Sequence, residues 1–339
     1  MMHELREIIN QALINQQKGM QNVLATVVHL EGSSYRKPGV RMLISEDYST
    51  TGAVSGGCVE KEIIHRSKSV FDDNNPKVIT YDGRYKVGCE GTLYVLIEPF
   101  FISDKLLTHL SDANLKKESL KIESHFVKED EAFGNFGSIL TFENKVQCTF
   151  SKSFNNQRDK EVAIFHQTVP PSFKLIIIGG EHDAVKLCKL GANLGWEINV
   201  IISVKDSKQL CDFPGANSVE GNSPETIQFT NIEENTAIVI MNHSYVQDLK
   251  YVVKLSGHLP KYIGILGAPN RRERLFNELF EFAPGVSDEF LEAIYTPAGL
   301  HIGAQTPEEI ALSIVAEILS VIRKKTPFSL RELTGKIDN

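Results

Sequence analysis

Three short stretches of this chain carry residue types suited to holding an anion or a soft metal. The first is Gly52-Ala53-Val54-Ser55-Gly56-Gly57-Cys58-Val59-Glu60. Its glycines let backbone N–H groups come close to a ligand. A helix leaves it through Glu62, Ile63, Ile64 and His65, and a helix N-terminus favours negative charge. Cys58 falls in the first turn, where a thiolate is stabilised and could touch a metal; a small packed cysteine at a tight turn is the alternative. The second stretch, Gly32-Ser33-Ser34-Tyr35-Arg36-Lys37-Pro38-Gly39-Val40-Arg41, joins small residues to three cations. An arginine fork suits phosphate or carboxylate. Lys37 is expected at the solvated surface, and Arg41, flanked by Val40 and Met42, is either a site residue or a structural ion-pair partner. The third stretch, Val87-Gly88-Cys89-Glu90-Gly91-Thr92, repeats the setting of a cysteine beside glycine next to a strand.

Elements that could position these residues follow from periodicity. A helix is expected over 3–18, with strands over 23–30 and 41–45. A helix over 59–70 and strands over 78–81 and 93–97 come next. A helix over 104–116 precedes short strands over 119–127, 137–142 and 161–166. Val169-Pro170-Pro171-Ser172 reads as a linker, placing one domain over 1–168 and a second over 173–339. In the second, buried-strand runs at 173–180, 196–203, 236–240 and 262–267 alternate with helical patterns at 182–194 and 246–256. That alternation predicts a parallel, doubly wound sheet whose ligands bind beyond the strand carboxyl ends. Those ends carry Gly179, Gly180 and His182, then His243, for which a capping or packing role is the alternative. The final helix has Thr306 as cap, Pro307 at its first position and Glu309 completing a capping box.

The sheet pattern raises the question of a dinucleotide site. Where a G-x-G-x-x-G fingerprint would stand, the chain has Gly179, Glu181 and Ala184, and the second strand ends in Ile202-Ser203 rather than an acid. The fold reads as Rossmann-like, with NAD(P) binding and an oxidoreductase activity kept as the alternative function. Ser55 in Gly-Ala-Val-Ser-Gly-Gly lacks the spacing of a hydrolase nucleophile elbow.

Composition narrows the partners. The 339 residues have a 42% hydrophobic fraction, 36 basic and 43 acidic side chains and a net charge of −7, which argues against nucleic acid. There is no apolar run long enough for a membrane span, and the first residues lack a signal-peptide plan, so a cytoplasmic location is expected. Five cysteines without a Cys-x-x-Cys suggest neither a disulfide framework nor a zinc knuckle, and each is by default a small buried residue.

Taken in order along both halves, these segments resemble the XdhC/CoxI family of xanthine dehydrogenase accessory factors. The likeness rests on Gly32-Ser33-Ser34 with Arg36, Pro38-Gly39 and Arg41-Met42-Leu43, on residues 52–60, and on Gly88-Cys89 before Leu93 to Pro99. It continues through His182-Asp183-Ala184, Met241-Asn242-His243, Tyr262-Ile263-Gly264 with Leu266-Gly267, and Pro297-Ala298-Gly299-Leu300 on to Thr306-Pro307-Glu308-Glu309. The resemblance implies an N-terminal α/β domain joined to a Rossmann-like one. It also implies a chaperone, rather than a catalyst, that binds molybdenum cofactor (molybdopterin), supports its sulfuration and passes it to an apo molybdenum hydroxylase. A cysteine desulfurase is an implied partner and a homodimer the expected assembly. The residues that would meet the cofactor are Ser33, Ser34, Arg36, Arg41, Ser55, Gly56, Gly57, Cys58, Cys89, Gly179, Gly180, His182 and His243, with Cys58 as the molybdenum contact. Glu181 and Glu90 depart from the family's usual glycines, and Ile202-Ser203 from its common acid.

Overall fold

The computed structural model describes residues 2–32, 37–82, 91–156, 161–229, 232, 235–268 and 271–332. The chain divides into two compact units, Met1–Pro171 and Ser172–Asn339. In unit 1 the order is α1 (Met2–Gln17), β1 (Asn22–Glu31), β2 (Arg41–Ser45), β3 (Thr50–Gly52), α2 (Cys58–Asp73), β4 (Lys77–Asp82), β5 (Thr92–Pro99), α3 (Asp104–Leu115), β6 (Leu120–Phe126), β7 (Ala132–Phe133), β8 (Gly137–Thr141), β9 (Gln147–Thr149) and β10 (Ala163–Val169). These strands form a six-stranded sheet, β3-β2-β1-β5-β4-β7, and a four-stranded sheet, β10-β6-β8-β9. Every pairing in both is antiparallel.

The larger sheet buries both faces because its central strand is apolar on both. Val23, Ala25 and Val27 of β1 pack with Val59, Ile63 and Val70 of α2. Leu24, pointing the other way, packs with Leu5, Ile8 and Ile9 of α1. β2 alternates in the same sense, with Met42 and Ile44 in the α2 cluster and Leu43 in the α1 cluster. α2 therefore lies on one face of the sheet and α1 on the other. A buried carboxylate ties the two sheets together. Glu98 of β5 accepts hydrogen bonds from the backbone N–H (2.8 Å) and hydroxyl (2.6 Å) of Ser138 in β8.

Unit 2 contains β11 (Lys174–Ile178), α4 (His182–Asn193), β12 (Glu197–Ile202), β13 (Ser218–Gly221), β14 (Thr236–Ile240), α5 (Tyr245–Leu255), β15 (Tyr262–Ile265), α6 (Arg271–Phe282), α7 (Asp288–Glu292), β16 (Ile294–Tyr295) and α8 (Pro307–Arg323). Its sheet runs β13-β12-β11-β14-β15-β16 and is parallel throughout. Numbered within the unit this is 3-2-1-4-5-6, the order of a dinucleotide-binding Rossmann sheet. Both faces are covered. Leu175, Ile177, Val200 and Val239 pack against α4 and α8, while Ile176, Ile178, Ile238 and Ile240 pack against α5 and α6. The capping box predicted for the last helix is present, with Thr306 accepting from the Glu309 N–H and Glu309 accepting from the Thr306 N–H.

Candidate functional site

The glycine loop of unit 1 leaves β3 and enters α2. Val54, fully buried in the α2 cluster, pins its middle. Gly52 has φ +81, and a Cβ there would stand 2.7 Å from the Arg41 carbonyl oxygen, so the β2–β3 pairing itself demands glycine. Gly57, the N-cap of α2, has φ +51 and no side chain to bond the helix's first N–H groups. Gly56 differs from both. Its φ lies outside the left-handed range, and a Cβ on it would meet nothing within 4 Å. Among the described residues, packing gives no reason for a glycine there.

Cys58 opens α2 as an exposed, free thiol. The default expectation of a buried cysteine is corrected for Cys58 and for Cys211, which is also exposed. It holds for Cys148 and Cys188, and burial pushes the Cys188 thiol up to about 11. No cluster of three or more His, Cys, Asp or Glu positioned for a metal ion occurs among the described residues. Cys58 thus offers a single soft ligand beside open glycine backbone.

Arg41 is placed elsewhere. It is only 8% exposed and lines a small cavity with Glu4, Leu5 and Ile8 of α1 and Gln167 and Val169 of β10. Its Nη1 donates to the Gly39 carbonyl (2.9 Å) and to Gln167 Oε1 (2.5 Å), while Nε and Nη2 have no partner. Arg41 shares a face of β2 with Leu43, and that face looks away from α2. Its side chain sits inside unit 1, where burial pulls its pKa down to about 10 and Glu98 and Glu4 oppose that shift. Ser33, Ser34, Arg36 and Cys89 lie outside the described residues. Within the described part of unit 1, Ser55, Gly56, Gly57 and Cys58 are brought together and Arg41 is not.

Unit 2 gathers its four expected residues at one edge. Gly179 and Gly180 follow β11, His182 opens α4, and His243 follows β14, the strand next to β11. This is the point where the strand order reverses. A Cβ on Gly179 would stand 2.7 Å from the Met241 carbonyl oxygen, so the two strand ends approach as only glycine permits. His182 and His243 are both exposed. Glu181 is the N-cap of α4 but bonds none of its N–H groups through its side chain. Beside His243, Asn242 Nδ2 donates to Asp248 Oδ1 (3.1 Å). Asp248 is 1% exposed and its Oδ2 has no hydrogen-bond partner. Burial pushes that carboxyl up to about 6, against the Asn242 hydrogen bond and the charge of Arg271.

Sequence reasoning missed the pair that stands over Gly180. Asp206 and Lys208, in the loop after β12, form an ion pair of 3.2 Å. A Cβ on Gly180 would lie 2.5 Å from Asp206 Oδ2 and 3.6 Å from Lys208 Nζ. β12 ends in Ile202-Ser203 as read from the sequence, and Asp206 lies four residues past the strand end.

Comparison with known proteins gives a matching account of both units. A model of the XdhC and CoxI family matches residues 16–82, and one of the XdhC Rossmann domain matches residues 175–318. The chain is 31% identical to a probable xanthine dehydrogenase subunit from Bacillus subtilis, over 92% of this chain and 96% of that one. The chain belongs to the XdhC and CoxI family. A second family relative, the molybdenum cofactor insertion chaperone PaoD of Escherichia coli, is 22% identical over 93% of this chain and 88% of that protein. A crystal structure described as a xanthine dehydrogenase from Bacillus halodurans superposes with a TM-score of 0.76 at 27% identity, covering 94% of this chain and 97% of that one. The family's Rossmann domain and the parallel sheet of unit 2 agree.

Proposed function

We propose that this chain is an accessory factor that binds molybdenum cofactor, supports its sulfuration and delivers it to an apo molybdenum hydroxylase of the xanthine dehydrogenase type. The observation that carries the reading is similarity over nearly the whole chain to relatives that include a named molybdenum cofactor insertion chaperone. The loop of unit 1 fits such a cargo chemically. The cofactor combines a phosphate, a flat polar pterin and a dithiolene-bound metal. Gly56 and Gly57 leave room beside a helix N-terminus without a side-chain cap, which suits an anionic group. Cys58 presents an accessible thiol, a soft ligand for the metal. Ser55 flanks it, and Ser33, Ser34, Arg36 and Cys89 belong to the same proposal on the family likeness alone. Gly179, Gly180, His182 and His243 of unit 2 form the second candidate surface. A cysteine desulfurase as sulfur source and a homodimeric assembly complete the reading, and no described helix is long and apolar enough to cross a membrane.

The test is to purify the chain from cells that make the cofactor, then measure released pterin fluorescence and bound molybdenum. Both should co-purify, and Cys58→Ala should lose molybdenum or lower transfer of sulfurated cofactor to the apo-hydroxylase. A protein carrying neither, and binding no supplied cofactor, refutes the reading. Unchanged retention and transfer in the Cys58 variant refutes only the role of that thiol.

A further inference from the structure

Arg41 leaves one edge of its guanidinium unused inside unit 1. Nη1 takes both protein acceptors, the Gly39 carbonyl at 2.9 Å and Gln167 Oε1 at 2.5 Å. Nε and Nη2 have none, although both atoms are buried and the residue is only 8% exposed. These two nitrogens share an edge of the planar group. Their N–H bonds run parallel and form a fork that grips one acceptor between them. A buried fork left empty is costly, because charged donors lose most when they lack a partner.

The protein around the fork does not fill it. Gln167 is pressed against Gly39, whose φ of +100 and closeness to that amide leave no room for a Cβ, and Gln167 Nε2 donates back to the Gly39 carbonyl (3.3 Å). Leu5 and Ile8 of α1 and Val169 of β10 are apolar walls whose side chains offer no acceptor. Arg41 and these residues line a cavity of about 20 Å³, room for one water-sized sphere but not for a phosphate.

Charge decides between a water and an ion. Both groups that Arg41 touches are neutral, and among the described residues it forms no ion pair. With its pKa at about 10 it stays cationic at neutral pH, and the charges of Glu98 and Glu4 reach it only through space. Glu98 is pushed up to about 7 and is mostly neutral below that pH, while Glu4 is exposed, where solvent and salt screen it. A buried cation without a contact partner calls for a counter-ion.

We propose that the cavity beside Arg41 is a halide site, with one chloride ion held in the Nε–Nη2 fork between Leu5, Ile8 and Val169. The ion braces unit 1, because its walls come from α1, from β2 of the six-stranded sheet and from β10 of the four-stranded sheet. The proposal is independent of the molybdenum cofactor reading, since its probes contain neither pterin nor molybdenum.

Two measurements on the full chain test it, both at about pH 6, below the Glu98 range. In crystals grown with sodium bromide, anomalous scattering should place a bromide between Arg41 Nε and Nη2. In solution, hydrogen exchange is followed as sodium gluconate is replaced by sodium chloride at constant ionic strength. Amides of β2 and β10 that exchange through opening of unit 1 should gain protection with chloride. Once the site is saturated, the gain should be about tenfold for each tenfold rise in chloride, the slope of a single bound ion. Amides of unit 2 should not distinguish the two salts. Arg41→Lys keeps the charge but has no parallel fork, so it should lose both the bromide peak and the chloride slope. Density in the fork without anomalous signal marks a water and overturns the proposal. Unit 1 protection that ignores chloride overturns it too, even beside a bromide peak, which is then an ion adventitious to the crystal. A chloride slope undiminished in Arg41→Lys puts the ion elsewhere and also overturns it; if that variant does not fold, the wild-type slope and peak decide.

Discussion

Replacing Glu98 by glutamine isolates one buried charge and gives a prediction with a definite sign. Glu98 is wholly buried, and both of its oxygens accept hydrogen bonds from Ser138 across the two sheets of unit 1. Burial raises its pKa from 4.5 to about 7, with the Ser138 bonds and the Arg41 charge opposing the shift. For both Glu98 and Arg41, loss of hydration outweighs mutual attraction. The folded-state pKa lies above the unfolded one. The group's contribution to stability is therefore fully present below about pH 4.5 and is lost as pH rises through 7. At about 1.4 kcal/mol per tenfold change in proton affinity, the loss is about 3 kcal/mol. The glutamine variant keeps the shape, with its Oε1 accepting from the Ser138 N–H and its Nε2 donating to the Ser138 hydroxyl oxygen, and has no proton to lose. The attraction between Glu98 and Arg41 exists only in the ionised form and is already contained in the Glu98 pKa, Arg41 staying protonated until about 10. The slope of the difference, not its height, is thus the readout. Trp196, the single tryptophan, lies in unit 2 and cannot report it. Hydrogen exchange of β5 and β8, corrected for intrinsic rates at each pH, does. Wild-type stability minus that of the variant should fall by about 3 kcal/mol between pH 4.5 and 7.5 and then flatten. Parallel curves across that window refute the reasoning.

Other perturbations read out unit 2 and the thiols. Glu317→Ala strips the carboxylate that accepts from the buried Tyr262 hydroxyl (2.5 Å) and the Gly299 N–H (2.8 Å). It should cost about 2 to 4 kcal/mol in Trp196-monitored unfolding, and Glu317→Gln much less. Gly179→Ala forces a Cβ to within 2.7 Å of the Met241 carbonyl oxygen at φ +142, so unit 2 should lose at least about 2 kcal/mol by the same assay. Thr306→Ala removes half of the α8 capping box and should cost about 1 kcal/mol. In timed alkylation mapped by mass spectrometry, Cys58 and Cys211 should label before Cys148 and Cys188.

The fold was legible where one periodicity dominated a segment. β2 and β14 fall on their expected bounds because each is a short buried run between turn signals. α8 was legible down to its cap, since Thr306, Pro307 and Glu309 are local chemistry. The elements missed are those whose existence depends on neighbours. β3, β7, β9 and β16 are two or three residues long, and β13 is Ser-Val-Glu-Gly, polar and without alternation. Such segments become strands only because a formed edge offers them hydrogen bonds, and no window of sequence contains that edge. α6 was missed for a different reason. Half of the residues from Arg271 to Phe282 are charged, and the helix buries only Leu275 and Leu279.

At the site, sequence distance misled in both directions. Arg41 is followed by Met42, which pairs with Gly52 across β2 and β3, yet the Arg41 side chain leaves the opposite face from α2. Strand alternation decides that outcome: Met42 and Ile44 occupy the α2 face, so Arg41 and Leu43 cannot. Here Gln167 accepts from the Arg41 guanidinium and the Glu98 charge acts on it. Asp206 shows the converse error. A search for the acid at the last residue of β12 treats the strand end as the only place from which a carboxylate can reach the crevice. Four residues of loop, closed by the Asp206 N–H to Ser203 carbonyl hydrogen bond (2.9 Å), bring it back over Gly180. The pair Asp206–Lys208 was thus absent from the sequence pattern and present in the geometry, where Gly180 supplies the room for it.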